Sequence, residues 1–290
     1  MMKQMIQLIR LEQWLKNLFV FLPLFFSGKM VFDNSFCRVL WAFFAFSLAA
    51  SSVYVVNDLM DATSDRLHPT KCKRPLASGR VSRNVAWQLS LFCLLASLVI
   101  SWLFVGTRAA WFVAGYLVLN VAYCIKLKHV AILDVMIVSL GYIFRLVVGG
   151  VAAGVVLSQW IVLMTFLLAL FLALAKRRDD VLIYEQEGVK TRGNILQYNL
   201  SFINTAMSVM AAVMVVCYVM YTVSPEVTHR LHTTHLYLTT LFVIAGVLRY
   251  MQVTFVYQQS GSPTRVLWHD HFLQLCVIGW ALAFVFVIYC

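Results

Sequence analysis

Apolar runs of about 20 residues, the length a helix needs to cross a bilayer, recur along almost the whole chain. They read as nine helices at roughly residues 15–32, 36–57, 84–105, 108–125, 132–155, 158–175, 199–223, 233–257 and 268–288, the first and sixth being short. In hydrocarbon every backbone polar group must be paired inside the protein, so continuous apolar runs of this length specify an all-α, polytopic membrane fold. Composition supports this: 62% of the 290 residues are hydrophobic and 12% are charged, against about 25% charged in soluble domains. No separate soluble domain fits between the spans, and the expectation is one integral-membrane domain over residues 1–290.

The net charge is +11. In a soluble protein that excess would suggest nucleic acid; in a membrane protein it is read first as positively charged cytoplasmic loops. Of 23 Lys and Arg residues, 17 fall on one side of the expected spans: Lys3, Arg10, Lys16, Arg66, Lys71, Lys73, Arg74, Arg80, Arg83, Lys126, Lys128, Lys176, Arg177, Arg178, Lys190, Arg192 and Arg265. Lys29, Arg38, Arg108 and Arg230 face the other side, and Arg145 and Arg249 lie inside spans. This bias places the N-terminus and the charged loops in the cytoplasm and the C-terminus outside; the membrane expected is a bacterial inner or plasma membrane. The first apolar run ends at Phe25-Phe26-Ser27-Gly28 without a small-residue cleavage pattern, so it reads as a span rather than a signal peptide. Seven scattered cysteines without a C-x-x-C pair give neither a disulfide framework nor a zinc site.

Positive-inside topology requires no carboxylates, yet Asp58, Asp61 and Asp65 crowd one cytoplasmic connection while Asp179, Asp180, Glu185 and Glu187 crowd another. If the second helix continues past Asn57, then Asn57, Asp58, Asp61 and Asp65 stand at i,i+3 and i,i+4 steps and share a face. Like charges at that spacing repel, and a divalent cation removes the repulsion. Carboxylate oxygens suit Mg²⁺, which usually bridges one or two carboxylates to substrate phosphates. His68-Pro69 then ends the helix, and Lys71, Lys73 and Arg74 follow, with Arg80 beyond the Gly79 turn. Acids followed directly by cations suit a diphosphate gripped through metal on one side and ammonium or guanidinium groups on the other. The competing reading is a surface helix followed by topogenic charges.

Asn57-Asp58-x-x-Asp61-x-x-x-Asp65 resembles the first Asp-rich motif of the UbiA superfamily of intramembrane prenyltransferases, and the nine-span pattern resembles that family's helical fold over nearly the whole chain. The resemblance implies a central cavity open to the cytoplasm, a Mg²⁺ cofactor held by Asn57, Asp58, Asp61 and Asp65, and a lipid substrate carrying phosphate. The family's aromatic prenyltransferases carry a second Asp-rich motif after the sixth helix. Here that stretch reads Ala173-Leu174-Ala175-Lys176-Arg177-Arg178-Asp179-Asp180, with Lys176 where the leading aspartate is expected. Gln13-Trp14-Leu15-Lys16-Asn17 and His68-Pro69-Thr70-Lys71-x-x-Arg74-Pro75 are instead similar to the family's polyprenyl-phosphate phosphoribosyltransferase branch.

That branch implies transfer of a 5-phosphoribosyl group from phosphoribosyl pyrophosphate to a decaprenyl-type phosphate, with release of pyrophosphate. Two phosphorylated substrates need more cation and fewer carboxylates than prenyl transfer does. The expected catalytic residues are Asp58, Asp61, Lys71 and Arg74, and the expected substrate ligands are Lys16, Asn17, Lys126, Arg145, Lys176 and Arg177. A mid-membrane arginine is costly unless it faces a polar space, which makes Arg145 the candidate for the lipid phosphate, with a structural pair to Asp134 or to a helix carbonyl as its alternative. Asp134 itself could orient a lysine or bind metal; Arg249 reads as snorkelling to the interface. Glu185, Glu187, Lys190, Arg192 and Tyr198 read as a loop that could close over the sugar or equally as a solvated linker, and His229, His232 and His235 as an interfacial cluster. Prenyl transfer to an aromatic acceptor and non-catalytic lipid or ion transport remain alternatives; a nucleic-acid partner does not, and the oligomeric state, including a homo-oligomer, stays open.

Overall fold

A computed structural model describes residues 2–27, 35–66, 71–188, 193–259 and 263–289, and every regular element in them is helical. The α-helices are α1 (Met2–Ile9), α2 (Leu22–Phe26), α3 (Ser35–Arg66), α4 (Arg83–Ile100), α5 (Thr107–Ile125), α6 (Leu133–Ala153), α7 (Gln159–Glu187), α8 (Leu200–Val223), α9 (Pro225–Leu231), α10 (Thr240–Phe255), α11 (Pro263–His269) and α12 (His271–Tyr289). A 3₁₀ segment, Leu11–Phe21, joins α1 to α2, and a π-helical turn, Ser101–Val105, ends α4.

Seven stretches among the described residues are long and apolar enough to cross a membrane, against the nine expected. The expected first span is instead the 3₁₀ segment followed by the five residues of α2, and residues 28–34, including Lys29, lie outside the described residues. The last expected span falls on α12, whose stretch His271–Val287 is apolar but short of the length of the seven. The sixth expected span also changes: α7 does not stop near residue 175 but continues through Lys176–Glu187, so Glu185 and Glu187 are helical rather than looped. No Gly or Pro interrupts that extension, an Arg177–Asp180 pair at i,i+3 supports it, and Gly188, at φ 69°, ends it in the left-handed conformation typical of a helix stop.

The chain divides into two compact units. Unit 1 comprises residues 1–128 and 144–156, with α3 at its centre against α4, α5 and the 3₁₀ segment. The buried face of α3 is lined with small side chains, Ala42, Ala45, Ala49, Ala50, Ser51 and Ser52, which let neighbouring helices approach closely where lipid offers no hydrophobic drive. Ser52 and Ser90 bind each other's hydroxyl and backbone carbonyl across the α3–α4 contact. Unit 2 comprises residues 129–143 and 157–290, built on α7 against α8 and on α10 against α8 and α12. Phe92, Trp111, Leu241 and Leu275 point outward, as lipid-facing side chains do.

Candidate active site

α3 has 32 residues, about 48 Å at 1.5 Å per residue, and a hydrocarbon core is only about 30 Å thick. Its last turns therefore project past the bilayer, and they carry the acidic motif. Asp58 and Asp65 are seven residues, two turns, apart and stay in line; Asp61 is rotated by about 60° from Asp58. The ion pairs follow this geometry. Arg74 Nη1 donates to Asp58 Oδ1 at 3.1 Å and to Asp65 Oδ2 at 2.6 Å, and Arg10 Nη2 donates to the same Asp58 oxygen at 2.5 Å. Asp61, the most open of the three, takes Lys128 Nζ at 2.5 Å. Asn57 is half-buried one residue before Asp58.

Arg74 is held by its own loop. Its amide binds the Lys71 carbonyl at 3.0 Å, Ser78 returns both its amide and its hydroxyl to the Arg74 carbonyl, and Arg66 Nε reaches the Ala77 carbonyl at 3.2 Å. Leu76 and Val81 are buried with Leu8 and Leu59 beneath it. Lys71 opens the 3₁₀ turn Lys71–Lys73, while His68, Pro69 and Thr70 lie outside the described residues. Arg10 occupies the corner between α1 and the 3₁₀ segment at φ 55°, a left-handed conformation unusual for a side chain this large. Its guanidinium lies over the Tyr54 ring at 5.2 Å.

Deeper in unit 1, Asn17 is fully buried; it donates to Ser47 Oγ at 2.9 Å and accepts from Arg145 Nε at 2.8 Å. The Arg145 guanidinium lies 4.8 Å from the Phe46 ring centroid and 5.4 Å from that of Tyr116, a cation–π arrangement suited to a desolvated arginine. Gly149 makes this approach possible. A Cβ there would sit 2.0 Å from the Val20 carbonyl oxygen, so only glycine lets the α6 backbone meet the 3₁₀ segment one turn beyond Arg145. On that same segment, burial and the nearby charges of Arg145 and Arg10 push the Lys16 ammonium down to about 8.

Unit 2 contains a second charged group. Asp134, fully buried at the start of α6, takes Arg177 Nε at 2.6 Å on one oxygen and the Tyr198 hydroxyl at 2.6 Å on the other. Arg177 Nη1 also reaches Asp180 at 3.0 Å. The Tyr198 hydroxyl accepts the Ile132 amide at 2.7 Å; burial and the Asp134 carboxylate push this hydroxyl above its ordinary range, so it remains a donor to Asp134. Asp134 thus meets an arginine, Arg177, rather than the expected lysine, and is not the partner of Arg145, which binds Asn17 instead. Lys176 is exposed on α7, and Lys126 is exposed at the end of α5, two residues before the lysine that meets Asp61.

A sequence model of the UbiA prenyltransferase family matches residues 18–288. The chain belongs to the UbiA prenyltransferase family. It is similar to the decaprenyl-phosphate phosphoribosyltransferase of Mycolicibacterium smegmatis, 37% identical over 95% of this chain and 89% of that protein. It is also similar to the enzyme of the same name from Corynebacterium glutamicum, 31% identical over 98% and 86%. Among solved structures, a UbiA homologue from Archaeoglobus fulgidus bound to DMAPP and Mg²⁺ superimposes with a TM-score of 0.73 over 98% of this chain and 99% of that one, at 17% identity, a likeness of fold alone.

Within this UbiA member, Arg74, expected at the site, joins Asp58 to Asp65, and two cations that sequence reading left outside it, Arg10 and Lys128, pair with Asp58 and Asp61. Arg10 and Lys128 were legible only as topogenic charge, because a left-handed corner at a non-glycine residue and a 67-residue contact leave no local signature. Among the described residues no three acids, histidines or cysteines converge tightly enough to cage a metal ion. Asp58 and Asp65 do converge on a single cationic nitrogen. Two carboxylates sharing one cation match what Mg²⁺ asks of a protein when phosphate and water complete its shell.

Proposed function

We propose that this UbiA enzyme transfers the 5-phosphoribosyl group of phosphoribosyl pyrophosphate to a polyprenyl phosphate and releases pyrophosphate. The carrying observation is the α3 network: each motif carboxylate is already matched to an arginine or lysine, in a chain similar over nearly its whole length to decaprenyl-phosphate phosphoribosyltransferases. A phosphate group entering such a network exchanges partners with the carboxylates, so the cations lose no pairing on binding substrate.

In this reading Asp58 and Asp65, with Asn57 and Asp61 beside them, hold Mg²⁺, which supplies positive charge to the ribose diphosphate when bound. Arg74, released from the two carboxylates, takes the departing pyrophosphate together with Arg10, Lys71 and Lys128. Asn17 and the aromatic pair fix Arg145, and with Lys16 it binds the lipid phosphate. The C1–oxygen bond to pyrophosphate breaks as a lipid phosphate oxygen bonds to C1. That oxygen is already anionic, so no strong base is needed, and positioning and charge stabilisation carry the rate. Lys126 adds a further cation in unit 1, and Lys176 and Arg177, the latter oriented by Asp134, are the substrate ligands proposed in unit 2. The N-terminus and these loops face the cytoplasm, where the water-soluble sugar donor is found.

Radiolabelled phosphoribosyl pyrophosphate and polyprenyl phosphate, incubated with the purified protein and Mg²⁺, test the reading. Label passes into the organic phase if it holds. If label instead moves from a prenyl diphosphate to an aromatic acceptor, the reading is wrong.

A further inference from the structure

Unit 2 contains a feature that this chemistry does not use. Between α10, α11 and α12 lies a cavity of about 760 Å³ walled by Arg249, Arg265, His269, Asp270, Gln259 and Tyr257. Arg249 does not snorkel alone. It forms a forked pair with Asp270 at 2.8–3.2 Å, donates to Gln252 at 2.6 Å, and lies over the Tyr257 and Phe272 rings. Arg265 and His269 are exposed at the mouth, His269 giving its Nδ1–H to the Arg265 carbonyl. Trp268 and Phe272 project outward beside them, aromatic side chains typical of a bilayer interface.

The same three helices also wall a second space. An almost wholly apolar groove of about 300 Å³ runs along Gly246, Val247 and Tyr250 of α10, Leu273 and Val277 of α12, and Phe171 of α7. Tyr250 stands one residue from Arg249 and is 6% exposed, and its hydroxyl has no hydrogen-bond partner among the described residues. A buried donor without an acceptor is costly and points to a ligand that supplies one.

We propose that this site holds a bilayer glycerophospholipid with an anionic headgroup: the phosphate at Arg265, His269 and the outer edge of Arg249, an ester carbonyl on the Tyr250 hydroxyl, and an acyl chain in the groove. Basic pockets between transmembrane helices recognise such headgroups. Two observations favour a phospholipid over the lipid monophosphate substrate. Asp270 offsets one arginine, leaving a mouth suited to the single charge of a phosphodiester. The Tyr250 hydroxyl, which belongs to the apolar groove, also needs an acceptor, which a glycerol ester has and a polyprenyl chain lacks.

The test is the thermal stability of the detergent-purified full chain titrated with defined lipids. Dioleoyl-phosphatidylglycerol is expected to raise Tm saturably, with dioleoyl-phosphatidylcholine inert and the ether-linked phosphatidylglycerol binding more weakly. Tyr250→Phe is expected to erase the ester–ether difference, and Arg265→Gln to weaken the phosphatidylglycerol response at least tenfold. In Gly246→Leu, whose Cβ meets only the Cys276 Cβ at an ordinary 3.6 Å, the side chain fills the groove and abolishes the response. Lipid-free Tm, unchanged in these variants, separates loss of the site from loss of the fold, and it does so whether or not phosphoribosyl transfer is the reaction. Equal responses to the two ester lipids, an undiminished response in Gly246→Leu and Arg265→Gln, or tighter binding of farnesyl phosphate than of phosphatidylglycerol at this site would each overturn the proposal.

Discussion

Arg74 meets two carboxylates through one nitrogen and keeps the rest of its fork for another anion. Lysine would preserve the charge but not the planar fork. Arg74→Lys is therefore expected to lower kcat/KM for the sugar donor roughly 10- to 100-fold, the range for losing one hydrogen bond to a charged group, about 1.5–3 kcal/mol, with little change in Tm. Steady-state kinetics and a melting curve measure the two. Lys16 gives a pH prediction. Its ammonium is held down to about 8, whereas in an unfolded chain it stays charged until about 10.5. Below about 8 the cost of burying its charge is fully present; between about 8 and 10.5 the folded state binds fewer protons, so this group makes stability rise with pH across that window. The same deprotonation removes a cation from the lipid-phosphate site. KM for the acceptor is expected to rise above pH 8, and Lys16→Arg, charged throughout, to remove the break.

At the scale of elements, the account depends on two junctions. In unit 1, α6 meets the 3₁₀ segment through Gly149, where a Cβ would fall inside the Val20 carbonyl. Gly149→Ala is expected to cost about 1–3 kcal/mol or more as an overpacked site, lowering Tm and raising the acceptor KM as Arg145 shifts from Asn17. Gly115→Ala, which meets only the movable Phe144 ring at 3.3 Å, is expected to do far less. In unit 2, Asp134 balances Arg177 in a buried pair. Removing one partner of such a pair costs about 3–5 kcal/mol, whereas replacing both with apolar groups is often neutral. Asp134→Ala is expected to lower Tm sharply and the double change Asp134→Leu with Arg177→Met to restore it without restoring turnover; recovery of both would make the pair purely structural.

At the scale of the whole molecule, the sequence made most of the helices legible because apolar length alone defines a span. It failed at both ends of that logic. From Leu18 to Phe26 the chain has no polar side chain, so hydropathy could not distinguish the end of the 3₁₀ path and the short α2 from a span. The extension of α7 past residue 175 read as a loop because its first turn, Lys176–Asp180, is wholly charged, although Val181 and Leu182 beyond it are buried. The α3 motif was legible since its spacing is local, and its acids do lie on one projecting helix end. Their cationic partners Arg10 and Lys128 are 48 and 67 residues from the acids they meet, beyond any local pattern. The expected topology adds a prediction: with the native cysteines replaced, a cysteine at Thr63, exposed on the projecting end of α3, is labelled by a membrane-impermeant maleimide from the cytoplasmic face of inverted vesicles and not from intact cells.

Phosphoribosyl transfer to polyprenyl phosphate by the double variant Asp58→Asn with Asp65→Asn, assayed beside the wild type with and without a Mg²⁺ chelator, tests the central claim most directly. The account predicts organic-phase label from the wild type with Mg²⁺ and none above background from the folded variant or the chelated enzyme. Transfer by the variant at the wild-type rate would contradict it.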